Sequence, residues 1–415
     1  MTEQMSVPKL RFSEFNKVCE YTQYKFDDIF IFSSGKNIKQ NEASPEFITP
    51  CIRYGELYHM YGEVITKTIN STNLDKSDLT FSHGNEILLP SAGEDPLDIG
   101  SASALILKGV AIGRTINVLR PKGDIDYSHV YVSYYINNKL RRDISKLARG
   151  ASISNVYNSD LKTLKVNLPE LDEQQKIASF LTSVDSKISQ LTEKQRLLKE
   201  YKKGVMQQIF SQQLRFKDKD GKDFPEWKYK PLSYLLLEHK CRNKEQKFGK
   251  KDVLSVSGEL GVVNQIKHLG RSYAGESVAP YHIVHEGDIV YTKSPLKNNP
   301  YGIIKANLGR AGIVSTLYAV YSCKKTAYPK YLNYYFSLND NVNRYLRPLV
   351  HKGAKNDMKI NNQRVLIDPI YFPCYNEQIK ISNFFEALDT KIRHTQNQIK
   401  KTKQFKKGLL QQMFV

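Results

Sequence analysis

The segment from Pro169 to Phe210 is written a second time from Pro373 to Phe414, and no other feature limits the possible folds so sharply. At the single offset of 204 residues, 16 of its 42 positions are identical, with no gap. The shared residues include Pro169/Pro373, Glu173/Glu377, Gln174/Gln378, Lys176/Lys380, Ile177/Ile381 and Phe180/Phe384. The match closes on KKGVMQQIF (202–210) and KKGLLQQMF (406–414). Shorter markers carry the duplication outward: KLRF (9–12) against QLRF (213–216), VYVSYYI (130–136) against KYLNYYF (330–336), and RGAS (149–152) against KGAK (352–355). Such a chain has to fold as two related units, each a recurrent frame around a divergent filling.

Both repeated segments predict long helices. Ile177, Leu181, Val184, Ile188, Leu191, Leu198, Val205 and Ile209 follow heptad spacing, with Gln195 and Lys202 in the same seam. The second seam runs through Ile381, Phe385, Leu388, Ile392, Thr395, Ile399, Thr402, Lys406, Leu409 and Met413. A sustained apolar stripe needs a partner helix, and two matching stripes in one chain predict mutual pairing. Ile177, Leu181, Val184, Ile188 and Leu191, with Ile381, Phe385, Leu388 and Ile392, are the candidate pairing and partner-docking residues. Asp172 and Asn376, just after the prolines, are expected as N-caps. Acidic residues sit early and lysines late, complementing the helix dipole. At 1.5 Å per residue each helix would be a rod of roughly 60 Å.

The remainder reads as short β-rich runs, among them NEILLP (85–90), ASALILKGVAIG (102–113), GDIVYT (287–292) and GIVSTLYAVYS (312–322), separated by Gly, Asn and Pro turns. Helical patches accompany the Tyr-Tyr pairs. The expected class is α+β: two mixed α/β domains in tandem repeat, separated by two long helices that form an antiparallel coiled coil. The expected boundaries are 1–168, 169–213, 214–371 and 372–415.

Lysine and arginine number 62 against 42 acidic residues, a net charge of +20. The two helices carry 15 basic and 8 acidic residues, which leaves 47 and 34 for the globular regions and about two thirds of the surplus with them. A field of this sign favours a polyanion, and double-stranded DNA is the expected partner. With 40% hydrophobic and 25% charged residues the chain is globular. No apolar run approaches the length of a membrane span, and the start lacks a signal-peptide pattern, so a cytoplasmic protein is expected. Five scattered cysteines without a CxxC spacing predict reduced thiols and no zinc site.

Catalytic signatures fail one by one. NNPY (298–301) has Asn299 where an amino-methyltransferase loop needs proline, and no glycine-rich methyl-donor motif follows a strand. HIVH (282–285) lacks the HExxH pattern and is expected to be a strand with edge histidines. YGEL (54–57) and LGRAG (308–312) are lone glycine turns, and there is no P-loop. No catalytic residue, cofactor or metal is expected. The rivals to a DNA-reading protein are a self-sufficient nucleic-acid enzyme and a coiled-coil scaffold indifferent to sequence.

A proline, Glu-Gln, Lys-Ile and an amphipathic helix, written twice after two unlike regions that each open near LRF, resembles the specificity subunit of Type I restriction-modification systems. CIRYGELY (51–58) and GDIVYTKSP (287–295) are similar to phrases of its target recognition domains. The first domain departs from the second in having SEFNKVCEY (13–21) where the second has DFPEW (223–227). The resemblance implies a non-catalytic bacterial subunit whose two target recognition domains are separated by an antiparallel pair of long conserved helices. Each domain reads one half of a split DNA target. The helices dock two methyltransferase subunits, and restriction motor subunits join that core.

Base readout needs Arg, Lys, Asn, Gln or Ser at base edges, and phosphate contacts need Lys or Arg. In the first domain the candidates are Lys36, Asn37, Lys39, Gln40, Arg53, Tyr54, Ser91, Arg114, Arg149 and Ser152. In the second they are Arg242, Lys244, Lys267, Arg271, Lys293, Ser294, Lys297, Asn298, Arg310, Lys352 and Lys355.

Overall fold

The computed structural model describes residues 8–16, 21–352 and 358–414. It divides into two compact units, one formed by Met1–Thr192 with Asn397–Val415 and the other by Glu193–Gln396. The two long helices, α2 (Leu171–Phe210) and α4 (Tyr375–Met413), are 40 and 39 residues long. Two short helices, α1 (His129–Tyr135) and α3 (Pro329–Tyr335), hold the repeated tyrosine pairs.

In the first unit a five-stranded sheet contains β1 (Phe30–Ser34), β2 (Val64–Ile65), β3 (Glu86–Pro90), β4 (Ser103–Leu105) and β5 (Ile116–Pro121), in the order β1-β5-β3-β4-β2. A second sheet of four strands, Asn70–Thr72, Thr49–Ile52, Lys108–Ile112 and Phe81–His83, adjoins it in sequence. In the second unit, β6 (Leu236–Glu238), β7 (Ile289–Thr292), β8 (Ile304–Ala306) and β9 (Tyr318–Cys323) form a sheet in the order β6-β9-β7-β8. This is the first unit's order with one strand fewer. The apolar runs of β3 and β7 are buried along their whole length, as expected of central strands covered on both faces.

An antiparallel ribbon closes each globule before its helix. Thr22 pairs with Leu168 in the first unit, and Lys228 with Phe372 in the second. Pro169 and Pro373 follow, and the helices begin two residues later. Asp172 and Asn376 therefore lie inside the first turn rather than at the N-caps. The Gln174 amide already donates to the Glu170 carbonyl, and Gln378 to Cys374, so the helical ladder starts one residue earlier than the cap residue types imply. Asp172 still complements the dipole from the first turn.

Each unit contains its own helix pairing. In the first, Ile177, Leu181 and Val184 from the start of α2 share a core with Leu409, Met413 and Phe414 from the end of α4, and Ile188 packs against it. In the second, Val205, Met206 and Ile209 from the end of α2 share a core with Ile381, Phe385 and Leu388 from the start of α4. Beginning meets end in both cases, so the pairing is antiparallel. Leu191 and Ile392 are also buried.

Candidate nucleic-acid interface

The repeated frame is held by polar contacts that occur once in each unit. Arg11 grips Glu173 through Nε–Oε1 and Nη2–Oε2 contacts of 2.8 and 2.6 Å; Arg215 grips Glu377 at 3.4 and 3.0 Å. Both carboxylates are fully buried, so the guanidinium supplies the compensation a buried charge requires. That bond is the main reason the Arg11 and Arg215 pKa values rise. Gln174 donates to the Pro169 carbonyl at 2.8 Å and accepts from the Ser128 amide at 2.9 Å, tying α2 to the start of α1. Gln378 does the same with Pro373 at 3.0 Å and Tyr328 at 2.8 Å, at the start of α3.

The polar breaks in the heptad seams are a reciprocal pair of ion pairs. Lys406 meets Asp185 at 2.8 Å, and Lys202 meets Asp389 at 2.6 Å. Tyr134 donates to Asp185 at 2.6 Å and Tyr334 to Asp389 at 2.8 Å. Phe414 packs on Tyr131 and Tyr135, and Phe210 on Tyr331 and Tyr335. The sequence flagged these residues only as identities. Their recurrence was the signal, but residue type alone does not say which distant residue each one contacts.

The units diverge beside this frame. In the first, Glu63 adds a second carboxylate to Lys406 at 2.9 Å. In the second, no such carboxylate is recorded among the described residues. Lys305 on β8 is instead buried, donates to Ser337 at 2.9 Å, and has its pKa pushed down to about 8 by burial and then by Lys202.

The first unit's candidate DNA residues converge on one end of the five-stranded sheet. The chain leaves β1 through Gly35, whose amide bonds Ile116 at the start of β5; the Lys36 amide bonds Ile112. The Arg114 amide bonds the Asn37 carbonyl at 2.9 Å, and the Gly113 amide bonds Ile52, next to Arg53. The Ser91 amide, just past β3, bonds Thr115, while its carbonyl accepts from Val156. The 149–155 loop, containing Arg149 and Ser152, joins through the Arg149–Asn155 backbone pair. A Cβ on Gly35 would lie 2.1 Å from the Gly113 carbonyl oxygen, so glycine is required there. Asn37 and Ile38 have φ of 49° and 59°; a β-branched residue in this region is strained. Ile38 is held by burial with Cys51, Leu79 and Ala111, and this presents Lys36, Asn37, Lys39 and Gln40 on the exposed side.

Not all of these cations are equally available. Arg53 donates to the buried Glu56 at 2.8 Å, and Arg149 pairs with Asp160 at 3.0 Å. Lys36, Lys39 and Arg114 are exposed, and Tyr54 is partly so at the start of a short helix.

The same sheet end in the second unit gathers fewer candidates. The His239 amide bonds Val320 after β6, the Ile283 amide bonds Cys241, and Arg242 follows with a 2.7 Å bond to the Pro280 carbonyl. Lys293 and Ser294 leave the end of β7 as Ser91 leaves β3, and burial lowers the Lys293 pKa. Lys297 and Asn298 form the tip of a tight turn closed by Leu296 and Asn299. Lys244 is exposed two residues beyond Arg242. Lys267 sits on a short helix capped by Asn264, and Arg271 stacks over Tyr273 at 4.6 Å. Arg310 does not join the set. Its loop bonds Asn307, which bonds Asp288 before the start of β7, at the opposite end of the sheet. Lys352 lies on a short strand, and Lys355 lies outside the described residues.

The catalytic decoys resolve into packing. Asn299 is buried and donates to Asn339 at 3.0 Å. His282 is on a strand, as expected, but inward and not at an edge. Burial and then Arg242 push its pKa down to about 4, while His285 is exposed beyond the strand. No cluster of three metal-ligating side chains occurs among the described residues, and no helix there is long and apolar enough to cross a membrane.

Comparison with known proteins places these features. Residues 19–200 match the family described as Type I restriction modification DNA specificity domain. The MjaX type I restriction enzyme specificity subunit of Methanocaldococcus jannaschii is 31% identical over 102 residues. That match spans 24% of this chain and 24% of the curated relative's length. The crystal structure of a Type-I restriction-modification system S subunit from M. genitalium aligns over 99% of both chains with a TM-score of 0.59. At 14% identity this likeness is one of fold.

Proposed function

We propose that this chain, which belongs to the Type I restriction-modification DNA specificity family, is the subunit that gives such a complex its DNA sequence preference. Residues 1–168 and 214–371 act as two target recognition domains, and 169–213 with 372–415 form the frame between them. The carrying observation is that one frame, repeated contact for contact, presents the same end of the same sheet in both units, with cationic and amide side chains on the loops there. A duplicated reader of this kind suits a target of two half-sites. In the first unit the readers are the Lys36–Gln40 loop, Arg53, Tyr54, Ser91, Arg114 and the Arg149–Ser152 loop. In the second they are led by Arg242, Lys293, Ser294, Lys297 and Asn298.

The chain itself carries out no chemistry in this reading. Methylation and cleavage belong to two methyltransferase subunits and to restriction motor subunits assembled on it in the cytoplasm. Methylome sequencing of the host with and without the gene tests the proposal. A split, adenine-methylated motif should vanish with the gene. Methyl-donor binding and DNA modification by the purified chain alone would overturn it.

A further inference from the structure

Ten of the sixteen identities between the repeated segments have a fold reason on the page. Pro169, Glu173, Gln174, Asp185 and Lys202, with their counterparts, make the paired polar contacts already described. Ile177, Phe180, Ile188 and Phe210 and their counterparts are buried or pack in the seams and ring contacts, and Phe12 and Phe216 cover Phe180 and Phe384. Lys176 pairs with Glu14, and Lys380 bonds the Lys217 carbonyl. Six identities remain: Lys187, Lys199, Lys203, Gly204, Gln207 and Gln208, with their partners 204 residues on. Five of these fall within 199–208 and on one side of the helix, opposite Val205, Met206 and Ile209.

The glycine is the decisive member. Gly204 and Gly408 sit inside long helices, where glycine is a poor helix former. Neither copy is needed for internal packing. A Cβ on Gly204 would meet nothing within 4 Å, and one on Gly408 only the Gln412 amide nitrogen at 3.9 Å. Lysine and glutamine could be kept for solubility and helix propensity; glycine serves neither. Its remaining physical use is to let another backbone approach closely. The flanking Lys199, Lys203, Gln207 and Gln208 are exposed, as are Lys403, Lys407, Gln411 and Gln412. A phosphate backbone would need the lysines but not the notch.

We infer that the Lys203-Gly204-Gln207 face and its counterpart Lys407-Gly408-Gln411 are two equivalent docking notches. Each takes an acidic helix from one copy of the same protein partner. The inference rests on the proposed function, in which that partner is the methyltransferase subunit, and it specifies the contact surface. The glycine admits the incoming helix, the lysines meet its carboxylates, and the glutamine amides bond its polar groups. Two equal surfaces on one chain fit two copies.

The test uses the full chain with the methyltransferase subunit of the same host, counted by native mass spectrometry. Gly204→Leu should leave one copy bound, and Gly204→Leu with Gly408→Leu none, with at least tenfold weaker binding at each altered notch. Thermal unfolding of the free chain should stay unchanged or rise, because leucine is the better helix former. Gly204→Ala, with its small side chain, should keep most of the binding. Two copies retained by the double leucine variant would overturn the notches while leaving the specificity role intact. Two copies retained with DNA binding weakened tenfold would make the face a phosphate track and also overturn them. Failure of the unaltered chain to bind the methyltransferase would overturn both this inference and the partner assignment.

Discussion

The amide of Leu10 donates to the carbonyl of Gln412 at 3.0 Å, and the amide of Leu214 donates to the carbonyl of Gln208 at 3.1 Å. Each LRF segment thus leaves the end of a long helix by the same bond, and one residue later its arginine reaches a buried glutamate. At the Leu214 join the chain is continuous; at the Leu10 join the same geometry is held without a peptide link. A permuted chain, with a short linker from Phe414 to Leu10 and new termini at 211–213, should therefore fold unchanged. Circular dichroism and thermal unfolding should match those of the parent. A permutant that unfolds more than about 10 °C lower would show that the Leu10 join is not equivalent.

The buried carboxylates at the foot of each helix should be among the most sensitive sites for stability. Glu173→Ala leaves the Arg11 guanidinium enclosed without its partner and should cost about 3–5 kcal/mol. Replacing both residues with methionine should recover most of that loss, because no unpaired charge is left. Denaturant unfolding of the single and double variants measures both numbers. A loss below about 1 kcal/mol for the single variant would mean the pair is solvated.

Lys305 should make the second unit's stability depend on alkaline pH. Its pKa is about 8 in the folded chain against a model value of 10.5, so between these values the unfolded state binds more protons. Stability should rise with pH across that window, and the full penalty should be present below about pH 8. Lys305→Met removes the penalty, so at pH 7 it should stabilise the unit by up to ~3 kcal/mol and flatten the slope. An unchanged slope in the methionine variant would assign the pH dependence to another group.

These residues also show what the sequence could and could not reveal. The heptad seams made both long helices and their pairing legible, because period is a local property of the chain. Lys202 and Lys406 looked like flaws in those seams, and only the fold identifies them as reciprocal partners of Asp389 and Asp185. Lys305 occupies a strand position where the first unit has Ala104, within a run that reads simply as β structure. Its burial comes from helices far away in sequence. The candidate DNA residues were chosen by type and neighbourhood, which brought in Arg310 although its loop lies at the wrong end of the sheet. Sequence fixes which residues border a turn, but strand order fixes which turns share an end.

The exposed lysines at those ends should carry the salt dependence of DNA binding. Reversing Lys36 with Lys39, or Lys293 with Lys297, should weaken binding and lower the slope of log K against log salt by about 2, near 0.9 per lost phosphate contact. Titrations between 50 and 200 mM salt measure this. An unchanged slope would move the loop in question off the DNA.

The central claim is that the chain holds two independent readers in one repeated frame. Exchanging residues 10–168 for the equivalent region of a relative with a different target, then sequencing the methylated motif, tests it most directly. The account predicts a hybrid motif in which one half-site is new and the other is unchanged. A change in both half-sites, or in neither, would contradict it.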